Sequence, residues 1–299
     1  MKKHLLAIAV AALAAGGAFA QATDTLAKVK ASGNVTMGVR ESSGALSYTT
    51  GDGKFAGFHV EVCSRIIAEL EKAAGRKLNV TYQPVTSQNR IPLVQNGTVD
   101  IECGSTTNNA TRQKDVSFLN TTYVEEVRMA VKTSSGINSI AQLNGKNVAT
   151  TTGTTSVQHL RKHERATGVD FKEVFGKDHA DSFLLLETGR ADAFVMDGSI
   201  LAGNIANAKN PADFKLAGEV ISVEPIAIMV RKDDAALKKI GNDTINAMVK
   251  SGEMAKLWDK WFVAPIPPKN TRVGLPLSES TKAAWASPND KPMEDYAKK

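Results

Sequence analysis

Two short polar runs in this chain carry side chains suited to holding an anion. One is Thr86-Ser87-Gln88-Asn89-Arg90, and the other is Cys103-Gly104-Ser105-Thr106-Thr107-Asn108-Asn109-Ala110-Thr111-Arg112. Each crowds hydroxyls and amides against an arginine. Each is read as leading into a helix, whose first turn offers free backbone N–H groups and a partial positive charge. Arg90 and Arg112 add planar forks able to take a carboxylate in bidentate fashion. Neither run contains an acid or a histidine, so the pattern is one for gripping rather than reacting. Serine, threonine and asparagine also cap helices, but capping and ligand binding are compatible, and capping needs no arginine.

Further polar clusters stand apart from these two. Arg40-Glu41-Ser42-Ser43 opens with an arginine that, alone, reads as an ion-paired or solvated surface residue. The turn Thr152-Gly153-Thr154-Thr155-Ser156 lacks the lysine and glycine spacing of a phosphate loop, so nucleotide binding has no support. Its hydroxyls at a helix start still suit a carboxylate. Asp197 ends an apolar run and suits a ligand ammonium, or else opens a turn with Gly198. His179 has no His or Cys partner at metal-ligand spacing. His159 and His163 lie four apart, and without the Glu of a His-Glu-x-x-His pattern they read as a solvated helix face.

The elements that must position these groups alternate between strand and helix. Residues 35–39 read as a strand, 58–74 as a helix, 78–84 as a strand, 91–96 as a short helix and 99–103 as a strand. This β-α-β-α-β order predicts an α/β sheet with parallel strands, where ligands gather at the carboxyl ends. Each polar cluster falls at such an end. The order then restarts with strand 148–150, helix 157–165, strand 171–175, helix 182–189 and strand 191–196. Extended stretches 123–131 and 223–230 flank this second unit and read as two crossing strands, so the second lobe is inserted into the first. The boundaries expected are a first lobe over 21–127, an inserted lobe over 128–228 and a return over 229–299. Residues 243–262 read as a helix with Met248, Trp258, Trp261 and Phe262 in the core, followed by a polar tail that wraps the surface.

Met1-Lys2-Lys3-His4, an apolar run over residues 5–15 and an Ala18-Phe19-Ala20 ending have the layout of a secretory signal peptide cleaved after Ala20. The apolar run is short for a bilayer span. Loss of Lys2 and Lys3 would lower the formal charge from +6 to +4. With the basic residues scattered, neither nucleic-acid nor membrane-surface binding is supported. The two cysteines, Cys63 and Cys103, fit either a disulfide in an oxidising compartment or two buried thiols.

The longest motifs are Gly38-Val39-Arg40-Glu41-Ser42-Ser43, Thr86 through Leu93, and Glu102 through Asn109. Further on come Lys177-Asp178-His179 with Ser182-Phe183, Leu257-Trp258-Asp259-Lys260-Trp261-Phe262, and Pro265 through Asn270. In these the chain resembles the periplasmic solute-binding proteins of polar amino-acid ABC transporters, bacterial solute-binding protein family 3, and above all their glutamate/aspartate-binding members. The resemblance runs from about Leu26 to near the C-terminus. Val39 stands where the family often has histidine, and Thr152 where it has serine.

The resemblance implies a two-lobed, Venus-flytrap α/β fold, each lobe a mostly parallel sheet flanked by helices, with two crossover hinge strands. It implies a periplasmic monomer without cofactor or metal that closes over L-glutamate or L-aspartate and serves a membrane permease. Arg40, Ser87, Arg90 and His179 would read the side-chain carboxylate. Arg112, Thr107 and Thr155 would hold the α-carboxylate, and Ser105 and Asp197 the ammonium. Three arginines against one carboxylate leave excess positive charge for a dicarboxylate. One alternative is an exported enzyme on the same fold, resembling cyclohexadienyl dehydratase, with Glu41, Glu125, Glu126 or Asp197 as its acid. Another is a protein that delivers its ligand to a separate sensor.

Overall fold

A computed structural model describes residues 24–296, so the expected signal peptide lies outside the described residues. The strands are β1 (Asn34–Val39), β2 (Ser42–Ser43), β3 (Ser47–Gly51), β4 (Lys54–Ala56), β5 (Asn79–Pro84), β6 (Ile101–Glu102) and β7 (Val116–Phe118). They continue with β8 (Tyr123–Lys132), β9 (Asn147–Thr151), β10 (Lys172–Gly176), β11 (Ala193–Asp197), β12 (Phe214–Ile226) and β13 (Met229–Arg231). The α-helices are α1 (Thr25–Ser32), α2 (Phe58–Ala74), α3 (Arg90–Gln95), α4 (Thr155–Thr167), α5 (His179–Glu187) and α6 (Gly198–Asn207). After these come α7 (Ala235–Ser251), α8 (Glu253–Trp258), α9 (Glu279–Ala286) and α10 (Met293–Tyr296).

Two five-stranded sheets form the frame, in the orders β5-β1-β6-β13-β7 and β10-β9-β11-β8-β12. In the first, β1 runs parallel to β5 and β6, while β13 is antiparallel to both β6 and β7. In the second, β9 runs parallel to β10 and β11, while β8 is antiparallel to both β11 and β12. Four of the five strands in each sheet therefore point the same way. A small antiparallel meander, β2-β3-β4, lies outside both sheets.

Helix α2 shows why the first sheet is covered where it is. Phe58, Val62, Ile66 and Leu70 recur every fourth residue with Cys63 and Ile67 beside them, and all are buried in one cluster with Val35, Met37 and Val39 of β1. Each such side chain contributes ~1.5–3 kcal/mol through burial. The second sheet buries Val127, Met129 and Val131 of β8 against Val148, Leu160 and Val195.

The chain crosses between the sheets along β8 and back along β12, which pair from Tyr123↔Ile226 to Val127↔Ser222. The Tyr123 ring roots this crossing in the first core, 5.0 Å from Trp258 and 6.0 Å from Phe262. The tail does more than wrap the surface. The backbone N–H of Val124 donates to Thr281 Oγ1 at 3.1 Å, and Trp285 Nε1 donates to the Thr122 carbonyl at 2.8 Å, so α9 braces the crossing.

Candidate functional site

All nine candidate residues follow or end strands of the two five-stranded sheets. Arg40 follows β1, Ser87 and Arg90 follow β5, and Ser105, Thr107 and Arg112 follow β6. Opposite them, Thr155 opens α4 after β9, His179 opens α5 after β10, and Asp197 closes β11. Each is at most 8% exposed. Arg40 is thus not the solvated surface residue that its neighbours suggest in isolation.

The two walls touch. Arg40 Nη2 donates to Asp178 Oδ1 at 2.5 Å and lies 3.1 Å from His179 Nε2. Ser42 Oγ donates to Asp178 Oδ2 at 3.0 Å. Thr107 and Thr155 hydroxyls stand 3.4 Å apart. Arg112 donates to the Thr107 carbonyl at 2.8 Å and to the Gly153 carbonyl at 3.4 Å. Gly153 has φ +81°, and a Cβ there would sit 2.9 Å from Gln88 Cα, so only glycine lets this loop rest on the one bearing Ser87.

The first wall offers an anion no long helix N-terminus. Arg90 begins a helix of only six residues, and Arg112 begins a single 3-10 turn, Arg112–Lys114, where a helix was expected. There the arginines and hydroxyls supply the positive field. Capping explains some of the surrounding polarity, since Thr86 and Asn89 bond each other's backbone N–H groups. Ser87 takes no part in that. Asp197 starts no turn with Gly198, because Gly198 opens α6 directly.

Buried polar atoms with no protein hydrogen bond gather here. They include Ser87 Oγ, the Nε atoms of Arg40 and Arg90, both carboxylate oxygens of Asp197, and Glu102 Oε1. Buried polar groups are normally bonded. A set with cationic donors on one wall and a carboxylate on the other suits a small zwitterionic molecule.

Burial, and then the neighbouring Arg112, brings Arg90 down to about 9, which still leaves it charged at neutral pH. Burial also lowers Arg112. His179 is pushed down to about 3 by burial and by Arg40, so its imidazole is neutral. A guanidinium can only donate, so Nε2 of His179 accepts from Arg40 and Nδ1–H donates to Thr151 Oγ1 at 3.0 Å. His179 therefore orients Arg40 rather than adding positive charge. Burial, with Glu125 and Glu224 nearby, raises Asp197 well above the carboxylate range.

The charge count differs from three arginines against one acid. Glu102 and Glu224 are fully buried close to the arginines, and Asp178 pairs with Arg40. Glu224 accepts hydrogen bonds from Thr107 Oγ1 at 2.5 Å and Thr155 Oγ1 at 2.9 Å, and pairs with His159 Nε2 at 2.5 Å. His159 is accordingly no solvated face residue, while His163 stacks on Phe171. Glu224 went unread in the sequence, although an acid inside an apolar hinge stretch was a visible signal. Glu125 lies deeper, accepting from Tyr123 Oη at 3.0 Å, Glu126 N at 2.9 Å and the backbone and hydroxyl of Ser199.

Residues 35–264 match the family model described as bacterial extracellular solute-binding proteins, family 3. The chain is 42% identical over 295 residues to the glutamate/aspartate import solute-binding protein of Escherichia coli K12, covering 96% of this chain and 98% of that protein. It is 43% identical over 290 residues to the L-glutamate/L-aspartate-binding protein of Pseudomonas aeruginosa PAO1, covering 96% of each. Among solved structures, an ancestral arginine-binding protein bound to glutamine matches with a TM-score of 0.68 at 29% identity, covering 77% of this chain and 98% of that one. A mutant of ArgBP from T. maritima matches with a TM-score of 0.70 at 26% identity, covering 79% and 98%.

Proposed function

This chain belongs to the bacterial extracellular solute-binding proteins, family 3, and from that premise we propose that it captures L-glutamate or L-aspartate in the periplasm. It is a binding protein for transport rather than an enzyme. The observation that carries the ligand reading is the opposition of Arg40, Arg90 and Arg112 on one wall to the unpartnered Asp197 carboxylate on the other. A molecule with two carboxylates and one ammonium meets both demands in one orientation.

In this reading Ser87, Arg90 and Arg40 receive the side-chain carboxylate, with His179 holding Arg40 in place. Arg112 receives the α-carboxylate, aided by the Thr107 and Thr155 segments. Ser105 and Asp197 receive the ammonium. The first lobe spans 21–127 and 229–299, the second spans 128–228, and the protein works as a monomer. The two lobes close about β8 and β12 and bury the ligand, and the closed form is what a membrane permease recognises.

Titration calorimetry on the mature chain tests this. L-glutamate and L-aspartate should bind, with L-glutamine and L-asparagine weaker by tenfold or more. Arg90→Ala and Arg112→Ala should each weaken L-glutamate at least a hundredfold with the fold intact, as expected when a buried charged hydrogen bond is removed. Unchanged affinity in both variants would discard the site.

A further inference from the structure

The carboxylate of Glu224 stands where the two walls meet, yet it belongs to neither. It lies on the return strand β12, in register with Glu125 on β8, and is fully buried. One oxygen, Oε2, takes hydrogen bonds from the hydroxyls of Thr107 on the first wall and Thr155 on the second. The other, Oε1, pairs with His159. Both hydroxyl protons are thus spent on Glu224. What Thr107 and Thr155 have left to offer a ligand through their side chains is lone pairs.

That arrangement changes the chemistry of this corner. A hydroxyl that donates to a buried anion is polarised, and its oxygen becomes a better acceptor. Two such oxygens 3.4 Å apart, backed by a carboxylate, repel a ligand carboxylate and attract a ligand N–H. We propose that Glu224 is a specificity-determining residue, which turns Thr107 and Thr155 into acceptors so that they select for the ligand's ammonium rather than hold its carboxylate. The proposal rests on the acidic amino-acid reading above and reassigns two of its side chains. Any hold of these two segments on the α-carboxylate is then left to backbone N–H groups, with Arg112.

Glu224 is suited to act as an anion. Burial alone would raise its pKa, but the His159 contact and the two threonine hydroxyls outweigh burial and hold it below the usual range. The groups facing it are His159 on α4, Arg112 beyond the Thr107 loop, and Asp197 at the end of β11.

The test compares L-glutamate with glutarate, the same molecule without its ammonium, by direct and displacement calorimetry. Glu224→Ala frees both hydroxyls to donate. It should weaken L-glutamate at least tenfold while leaving glutarate unchanged or tighter. Glu224→Gln keeps an acceptor for the hydroxyls and should recover part of the L-glutamate loss. Thr155→Val, which leaves Glu224 in place, should also penalise L-glutamate more than glutarate. Equal losses for both ligands in Glu224→Ala and Thr155→Val would reduce Glu224 to a structural role and overturn the inference. Where glutarate stays below detection in every variant, retained L-glutamate affinity in Glu224→Ala and Thr155→Val overturns it. Absence of any acidic amino-acid binding by the wild-type chain overturns the underlying reading, and the inference with it.

Discussion

Arg40 and Asp178 make an ion pair at 2.5 Å across the junction of the two lobes, with Arg40 fully buried and the Asp178 side chain 16% exposed. Arg40 extends from the end of β1, and Asp178 immediately precedes α5. In the function proposed above, Arg40 and its neighbour Arg90 also receive the ligand's side-chain carboxylate. On that proposal the same guanidinium serves closure and recognition at once.

Because closure and binding are coupled, a contact present only when the lobes meet adds to affinity. Asp178→Asn removes the charge of one partner and leaves Arg40 buried with less compensation, a change that typically costs about 2–5 kcal/mol. L-glutamate affinity should fall by about thirtyfold or more. Small-angle scattering at saturating ligand should still report the compact form. Equal or tighter binding would show that Asp178 competes with the ligand for Arg40 instead of assisting it.

A second closure contact is steric. Gly203 on α6 faces Gly44, in the turn between β2 and β3, so closely that a Cβ on Gly203 would lie 2.8 Å from Gly44 Cα. Gly203 is helical, so alanine would by itself favour α6 by about 0.5–1 kcal/mol. Gly203→Ala should therefore keep or raise the melting temperature of the unliganded protein while weakening ligand binding about tenfold. Separation of those two effects is the signature of a wedge at the rim. A variant that binds normally would mean the turn yields.

Much of this frame was legible in the sequence, for local reasons. The apolar face of residues 58–74 gives α2 its full length, and polar loops after short apolar strands give the positions of Arg40, Arg90, Asp197 and the rest. What escaped depends on contacts between distant segments. Glu224 becomes part of the site through Thr107, Thr155 and His159, the nearest of them 65 residues away. His159 looked solvated because its partner lies on the return strand. Helix α6 was missed because Gly198 and Gly203 weaken its propensity, and burial against β8 and β11 decides it instead. The tail helix α9 was obscured by its polar composition. Its anchors are the hydrogen bonds of Thr281 and Trp285 and the packing of the Trp285 ring against Trp258.

The thiols illustrate the same point, since the sequence left them open and the structure joins them. Cys63 of α2 and Cys103 at the end of β6 form a disulfide across a sequence separation of 40. Closing a loop of that size restricts the unfolded chain by about 4 kcal/mol in the chain-entropy account. Cys63→Ala with Cys103→Ala should lower the melting temperature by several degrees. Cys103 leads directly into Gly104 and Ser105, so the variant also tests whether the site loop needs the staple. Well below the transition, L-glutamate affinity should stay within threefold of wild type, because Arg90 and Arg112 still fasten that loop through the Ser105 and Thr107 carbonyls.

Buried histidines and buried carboxyls act against each other in acid. Burial pushes His59 down from 6.5 to about 4 and His179 down from 6.5 to about 3. Above pH 6.5 both are neutral in folded and unfolded chains, and their contribution to stability is complete. Below pH 6.5 the unfolded chain takes up protons that the folded chain refuses. Each histidine then removes about 1.4 kcal/mol of stability per pH unit, until its own folded pKa is reached. Glu125 opposes them. Burial raises it from 4.5 to about 7, so folding gains stability as pH falls through that interval. Asp197, which burial raises well above the carboxylate range, acts in the same sense as Glu125, so two carboxyls oppose the two histidines across this interval. Urea unfolding at pH 5, 6 and 7 should show His179→Gln gaining stability relative to wild type as pH falls, by about 1.4 kcal/mol per pH unit below 6.5. The same pH dependence in His179→Gln as in wild type would mean that the buried His179 does not resist protonation in the folded chain.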